Sequence, residues 1–173
     1  MDQGVSPGIA VYRSGTHNKS LKYRLNYKCT NNQAEQLAIL KSLEHIDTTH
    51  TSDKAVTIYT DSRTSLDSLL NNNIHMYLMD KIRRKVRELT QTEWKIQICW
   101  VKAHAGLQGN ELADTLAKTA AMDLDVPECF NRILKVYLKP ISGLKELKNG
   151  RETGSKPPRA RPPKSISRLW LRD

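Results

Sequence analysis

The feature that most constrains this chain is a change of hydrophobic period near its middle. Between residues 75 and 89, Leu78, Ile82, Val86 and Leu89 recur at spacings of four, four and three, which places them on one face of a helix. Immediately after, Trp94, Ile96, Ile98 and Trp100 alternate with Lys95, Gln97 and Cys99, the period of two that belongs to a strand. The rest of the chain up to Met122 repeats this mixture. Residues 8–13 and 21–25 read as two strands of a hairpin joined by residues 14–18. Residues 32–46 carry Leu37, Leu40, Leu43 and Ile46 as the apolar face of a helix. Residues 55–59 form a compact strand, continuous enough to be buried on both faces. Residues 62–70 read as a short helix with Leu66, Leu69 and Leu70 inward, and residues 110–122 as a helix with Leu112, Leu116 and Ala120 on one face. The order ββαβααβα predicts an α/β fold, a mixed sheet with helices packed on it.

Charge divides the chain in a different way. The 173 residues hold 28 Lys plus Arg against 18 Asp plus Glu, a formal net charge of +10. Of this, +9 falls after Asn131, where 12 basic residues face 3 acidic ones. A basic surplus favours polyanionic partners. Asn149-Gly150, Gly154-Ser155, Pro157-Pro158 and Pro162-Pro163 interrupt the same stretch, so residues 149–173 are expected to be disordered. The domain boundary is drawn at 126, with 127–173 as a basic, Pro-rich and largely disordered tail. Residues 132–139 read as either a strand or a short helix before Pro140, and are the one spare strand-like segment. Arg159, Arg161 and Lys164 suit a nuclear import signal or an RNA-binding arm only weakly. No apolar run suggests a spanning helix, and the N-terminus has neither the basic start nor the apolar stretch of a secretory signal. Cys29, Cys99 and Cys129 are odd in number, without C-x-x-C spacing, and fit a reducing interior. An intracellular, non-secreted protein with no membrane partner is expected.

Four motifs stand out at element ends, three with a carboxylate near a strand end or in the first turns of a helix and one with a histidine in a loop. They are Thr30-Asn31-Asn32-Gln33-Ala34-Glu35, Tyr59-Thr60-Asp61-Ser62, Lys102-Ala103-His104-Ala105-Gly106 and Gly109-Asn110-Glu111-Leu112-Ala113-Asp114. Each has a structural reading. Asn32 with Glu35 forms a variant capping box, Asp61 or Ser62 caps the next helix, and Asp114 complements a helix dipole.

Taken together, their identity, order and context resemble the ribonuclease H type 1 family, over residues 4–122. Within it the chain looks most like the ribonuclease H domains of insect and arthropod non-LTR retrotransposon polyproteins. The resemblance implies a five-stranded mixed sheet in the order 3-2-1-4-5 with helices on both faces. It also implies an endonuclease that cleaves the RNA strand of RNA–DNA hybrids with two Mg²⁺ ions, Mn²⁺ being a substitute. Glu35, Asp61 and Asp114 match the family's metal ligands and His104 the histidine of the loop before the last helix. Thr30, Asn31 and Asn32 match residues that touch phosphate and the minor groove of the hybrid, and Ser62 and Arg63 extend that surface. The chemistry accounts for such a cluster. Two Mg²⁺ ions about 3.5 to 4 Å apart activate the attacking oxygen and neutralise the leaving one. Hard cations prefer oxygen ligands, and several carboxylates must converge to hold them.

Two departures from the family pattern matter. Its first strand, with an aspartate in an Asp-Gly-Ser type motif that bridges both metals, is expected to be missing here, which leaves three of the four carboxylates, with Asp2 as the alternative for the fourth. The sheet is therefore expected either to show a gap between the strands at 8–13 and 55–59 or to fill it with a substitute. Arg63 stands where relatives often have Gln, exchanging a minor-groove hydrogen bond for phosphate attraction. A hybrid-cleaving enzyme and an inactive nucleic-acid-binding remnant of a retrotransposon are the two readings that follow. Neither uses a small-molecule cofactor. Lys81, Arg83, Arg84, Lys85 and Arg87 are expected to form a solvated basic face opposite Leu78, Ile82 and Val86, with a hybrid-binding ridge as the alternative.

Overall fold

The computed structural model describes residues 5–123, 125–132 and 167–172, the last stretch by its backbone. Strands β1 (Pro7–Arg13) and β2 (Thr16–Lys22) form an antiparallel hairpin. Ser14 and Gly15 turn the chain with φ of 49° and 77°. Two consecutive positive φ angles match the twist of the flanking strands, so two residues make the connection where five were expected. The second strand consequently starts at Thr16, and a short β3 (Arg24–Leu25) follows it.

Helix α1 (Asn31–Asp47) is capped by Thr30, whose Oγ1 accepts from the Gln33 amide while the Gln33 side chain accepts from the Thr30 amide. This capping box corrects the expected Asn32–Glu35 pair, since the hydroxyl reaches the third helical amide and leaves Glu35 a turn further in. Leu37, Leu40, Leu43 and Ile46 are buried as their spacing predicts.

Strand β4 (Ala55–Thr60) buries Val56, Ile58 and Thr60 and leaves the alternate residues half-buried, so only one of its faces is fully covered. Helix α2 (Arg63–Leu70) follows, with Ser62 as its cap. It buries Ser65 and Ser68, whereas Leu70 is 81% exposed instead of inward. Small hydroxyl residues face the body here because α2 lies close to the start of α1, where the Ser65 hydroxyl sits 3.5 Å from Asn32 Oδ1. Helix α3 (Tyr77–Gln91) buries Leu78, Ile82 and Leu89, and β5 (Lys95–Trp100) pairs in parallel with β4 from Ala55↔Lys95 to Thr60↔Trp100.

The basic face of α3 is not uniformly solvated. Arg83 turns inward and donates to the carbonyls of Ser68, Leu69, Asn71 and Ile74, tying down the connection between α2 and α3. Lys85 bonds Asp47 at 2.7 Å and holds α3 against the end of α1. A guanidinium has five donors in a fixed fork, and the carbonyls at the end of α2 and in the turn after it supply matching acceptors.

Helix α4 (Gln108–Met122) buries Gly109, Ala113, Ala117 and Ala120 and meets β1 at Gly8 through Ala113, Leu116 and Ala117, with Leu112 and Leu116 only half-buried. The expected leucine face gives way to an alanine face because the backbones approach too closely for larger side chains. A Cβ on Gly8 would overlap the Ala113 carbonyl oxygen and the Ala117 amide. A three-residue β6 (Glu128–Phe130) then pairs in parallel with β3.

The main sheet has the order β2-β1-β7-β4-β5, where β7 is Ser167–Arg172. This strand runs parallel to β1 from Pro7↔Ser167 to Tyr12↔Arg172 and antiparallel to β4 from Thr60↔Leu169 to Thr57↔Arg172. The expected gap is filled by part of the tail that composition marked as disordered. Basic residues masked the signal: Leu169, Trp170 and Leu171 form a short apolar run that suits a strand. Two interior strands with unpaired backbone groups provide its place, since such groups are costly to leave unsatisfied. Residues 133–139, the anticipated spare strand, lie outside the described residues.

The core between the sheet and helices α1 and α3 is centred on Ile9, Ile39, Leu43, Ile58, Met79, Ile82 and Leu89, all fully buried. Burial of each such side chain contributes about 1.5 to 3 kcal/mol. This core fixes the start of α1 beside the end of β4.

Candidate active site

Glu35 lies in the second turn of α1 and is 4% exposed. Asp61 is the first residue beyond β4, at the point where the chain turns into α2. Glu35 and Asp61 line one cleft of about 450 Å³, together with Asn31, Asn32, Ser62, Thr64 and Ala103. The predicted residues Asn31, Asn32, Glu35, Asp61 and Ser62 are thus brought together, although 26 positions separate Glu35 from Asp61.

Local chemistry explains why the cleft keeps its form. Thr60 is buried and its Oγ1 accepts from the Ser62 amide, while the Ser62 hydroxyl lies 2.8 Å from the Ser65 hydroxyl and accepts from the Ser65 amide. The Asp61 carbonyl accepts from the Arg63 amide and, at 3.2 Å, from the indole N–H of Trp100. Arg63 lies over the same indole, 5.7 Å from the ring centre. Both flanks of Asp61 are therefore anchored before its carboxylate is considered. Thr30 is occupied by the capping box, so its hydroxyl serves the helix.

Asp114 projects from the second turn of α4 with its side chain 13% exposed, and its Oδ2 bonds Lys118 at 2.9 Å. It does not share the cleft lining with Glu35 and Asp61. Among the described residues, no three His, Cys, Asp or Glu side chains form a group able to hold a metal ion. His104 is exposed, with φ of 53°, in the loop that ends at the left-handed Gly106. Two residues carry roles that their sequence patterns did not single out. Trp100 belongs to the alternating apolar pattern of β5 but is 46% exposed and serves Asp61. Lys118 is visible in the sequence as the i+4 partner of Asp114, a spacing that brings opposite charges together on a helix.

The RNase H family model matches residues 2–122, a span that contains the whole cleft. The chain belongs to the RNase H family. A ribonuclease H of Rippkaea orientalis is 29% identical over 131 residues, covering 69% of this chain and 76% of that protein. The ribonuclease H of Francisella philomiragia is 33% identical over 111 residues, 55% of this chain and 67% of the relative. That of Chromohalobacter salexigens is 32% identical over 126 residues, 66% and 74% respectively. The RNase H match ends with α4, so β6, Arg132 and β7 lie beyond it.

Proposed function

We propose that this RNase H family member cleaves the RNA strand of RNA–DNA hybrids by metal-assisted phosphodiester hydrolysis. The observation that carries the reading is the shared cleft of Glu35 and Asp61, bordered by the polar side chains of Asn31, Asn32 and Ser62. Its donor set is hard oxygen, which suits a divalent cation such as Mg²⁺. Glu35 and Asp61 would hold that ion, which when bound supplies charge for the attacking and leaving oxygens. Asn31, Asn32 and Ser62 orient the hybrid by hydrogen bonds to its backbone, and Arg63 adds phosphate attraction from the rim. Thr30 positions this group indirectly, through the cap that starts α1. His104, on its exposed loop, moves a proton or helps product leave. Asp114, on α4 and outside the lining of this cleft, is proposed as the third carboxylate. Ancestry in a retrotransposon polyprotein is part of the same proposal.

One observation favours the second reading, a nucleic-acid-binding remnant without cleavage. Lys118 pairs with Asp114 at 2.9 Å and competes with a metal ion for the carboxylate assigned as the third ligand. Incubation of the protein with a labelled RNA–DNA hybrid in Mg²⁺ and in Mn²⁺ separates the two. The enzyme reading expects shortened RNA products that disappear in Glu35→Gln and Asp61→Asn. Intact RNA in both metals, with hybrid binding retained, would establish the remnant.

A further inference from the structure

Beside the cleft, aromatic rings and cations alternate on the surface in a way that the cleft chemistry does not use. Tyr77, at the start of α3, is 40% exposed. The Arg132 guanidinium lies 3.8 Å from its ring centre and the Lys81 ammonium 4.8 Å. Phe130 of β6 packs against the same ring at a centroid distance of 6.2 Å. Further along, Tyr27 is 57% exposed with the Lys28 ammonium 5.3 Å from its ring.

This strip is built and not merely exposed. The Asn26 amide donates to the Phe130 carbonyl at 2.9 Å, and the Gln33 side-chain amide donates to the Arg132 carbonyl at 2.7 Å. Gln33 is a buried residue of the first turn of α1, next to Asn31 and Asn32 at the cleft. The strip therefore joins the cleft through one helical turn. The acid beside it, Glu128, accepts from the Asn26 side-chain amide. Lys81, Arg84 and Arg132 form no ion pair among the described residues, whereas Arg83 and Lys85 of the same helix are committed to internal partners. The Tyr77 phenol is held below its ordinary pKa by its hydrogen bond with Lys81, with further help from the nearby cations.

We propose that Tyr77, Phe130, Arg132 and Lys81 form a binding platform for a single nucleic-acid strand leaving the cleft. The occupant follows from charge and shape. Cations without an acidic partner attract phosphates, and the exposed ring of Tyr77, backed by the half-buried Phe130, stacks on bases whatever their sequence. Two of the four residues, Phe130 and Arg132, lie beyond the stretch matched by the RNase H family model. The proposal deepens the hybrid-cleaving reading and rests on it for the direction of the strand.

The test is fluorescence anisotropy with a labelled single strand of about twelve nucleotides, within the range one such site covers. Tyr77→Ala and Arg132→Gln are each expected to weaken binding roughly tenfold, and Tyr77→Phe to retain it, because stacking needs the ring and not the hydroxyl. Circular dichroism confirms that each variant is folded. Unchanged affinity in folded Tyr77→Ala, or equal loss in Tyr77→Phe, would overturn the platform. Should Tyr77→Ala not fold, the doubly substituted Lys81→Gln, Arg132→Gln protein decides, and unchanged affinity there is again fatal. Strand binding that depends on Tyr77 in a protein that cleaves no hybrid upholds the platform and rejects the enzyme. Hybrid cleavage with strand binding indifferent to these substitutions does the reverse.

Discussion

Trp100 donates its indole N–H to the backbone carbonyl of Asp61 at 3.2 Å, across the ends of the paired strands β4 and β5. The bond joins the exposed last residue of one strand to the carboxylate-bearing residue just past the other. In Trp100→Phe the ring under Arg63 remains while the donor is lost. Cleavage of hybrid is expected to fall about three- to tenfold with little change in overall stability, the effect of one net hydrogen bond of about 0.5 to 1.5 kcal/mol. Rate against melting temperature for the variant separates positioning of Asp61 from general damage.

Gly8 is a packing requirement. An alanine methyl there would enter the backbone of α4 at Ala113 and Ala117, which cannot rotate away as a side chain could. Gly8→Ala should lose about 3 kcal/mol or more in urea unfolding, at the upper end of overpacking costs. Because α4 also carries Asp114, activity should fall with stability.

Removal of residues 167–173 takes away the strand that bonds both β1 and β4. The truncated protein is expected to lose its cooperative thermal transition, since each buried backbone group left without a partner costs about 1 to 3 kcal/mol. A sharp transition at an unchanged temperature would show that β7 is dispensable.

The phenols of this protein should titrate apart. Tyr77 is shifted down, first by its hydrogen bond with Lys81, and Tyr23 is shifted up, first by burial. Absorbance at alkaline pH should show Tyr77 ionising before Tyr23, with Lys81→Gln delaying it. As the folded value for Tyr77 lies below the unfolded one, the unfolded chain holds more protons between the two. Tyr77 therefore adds stability as pH rises through that window and loses it as pH falls back.

The tail carries most of the net charge, but β7 prevents its wholesale deletion from being a clean test. Replacing Arg151, Lys156, Arg159, Arg161 and Lys164 with Gln removes five positive charges without touching β7. The dependence of nucleic-acid affinity on salt should become shallower, by up to about 0.7 to 0.9 in logarithmic slope for each phosphate no longer neutralised. An unaltered slope would exclude these residues as phosphate partners.

Amino-acid order by itself determined the helices and most strands up to Met122, because their apolar periods are local properties. It also singled out Asn31, Asn32, Glu35, Asp61 and Ser62, which line the cleft, since they sit in short motifs at element ends, whereas Thr30, Arg63, His104 and Asp114 fall outside that lining. Four features were decided only by the tertiary structure. Thr30 caps α1 through Gln33, a choice between neighbouring hydroxyl and amide side chains that composition leaves open. Arg83 turns inward because carbonyls of the α2–α3 connection, distant from its own turn, need donors. Alanines cover β1 instead of leucines because Gly8 lets two backbones meet. Finally, Leu169-Trp170-Leu171 becomes an interior strand only because β1 and β4, more than a hundred residues earlier, both present unpaired hydrogen-bonding edges to it. A short apolar run carries little preference of its own, and long-range backbone pairing supplies the rest.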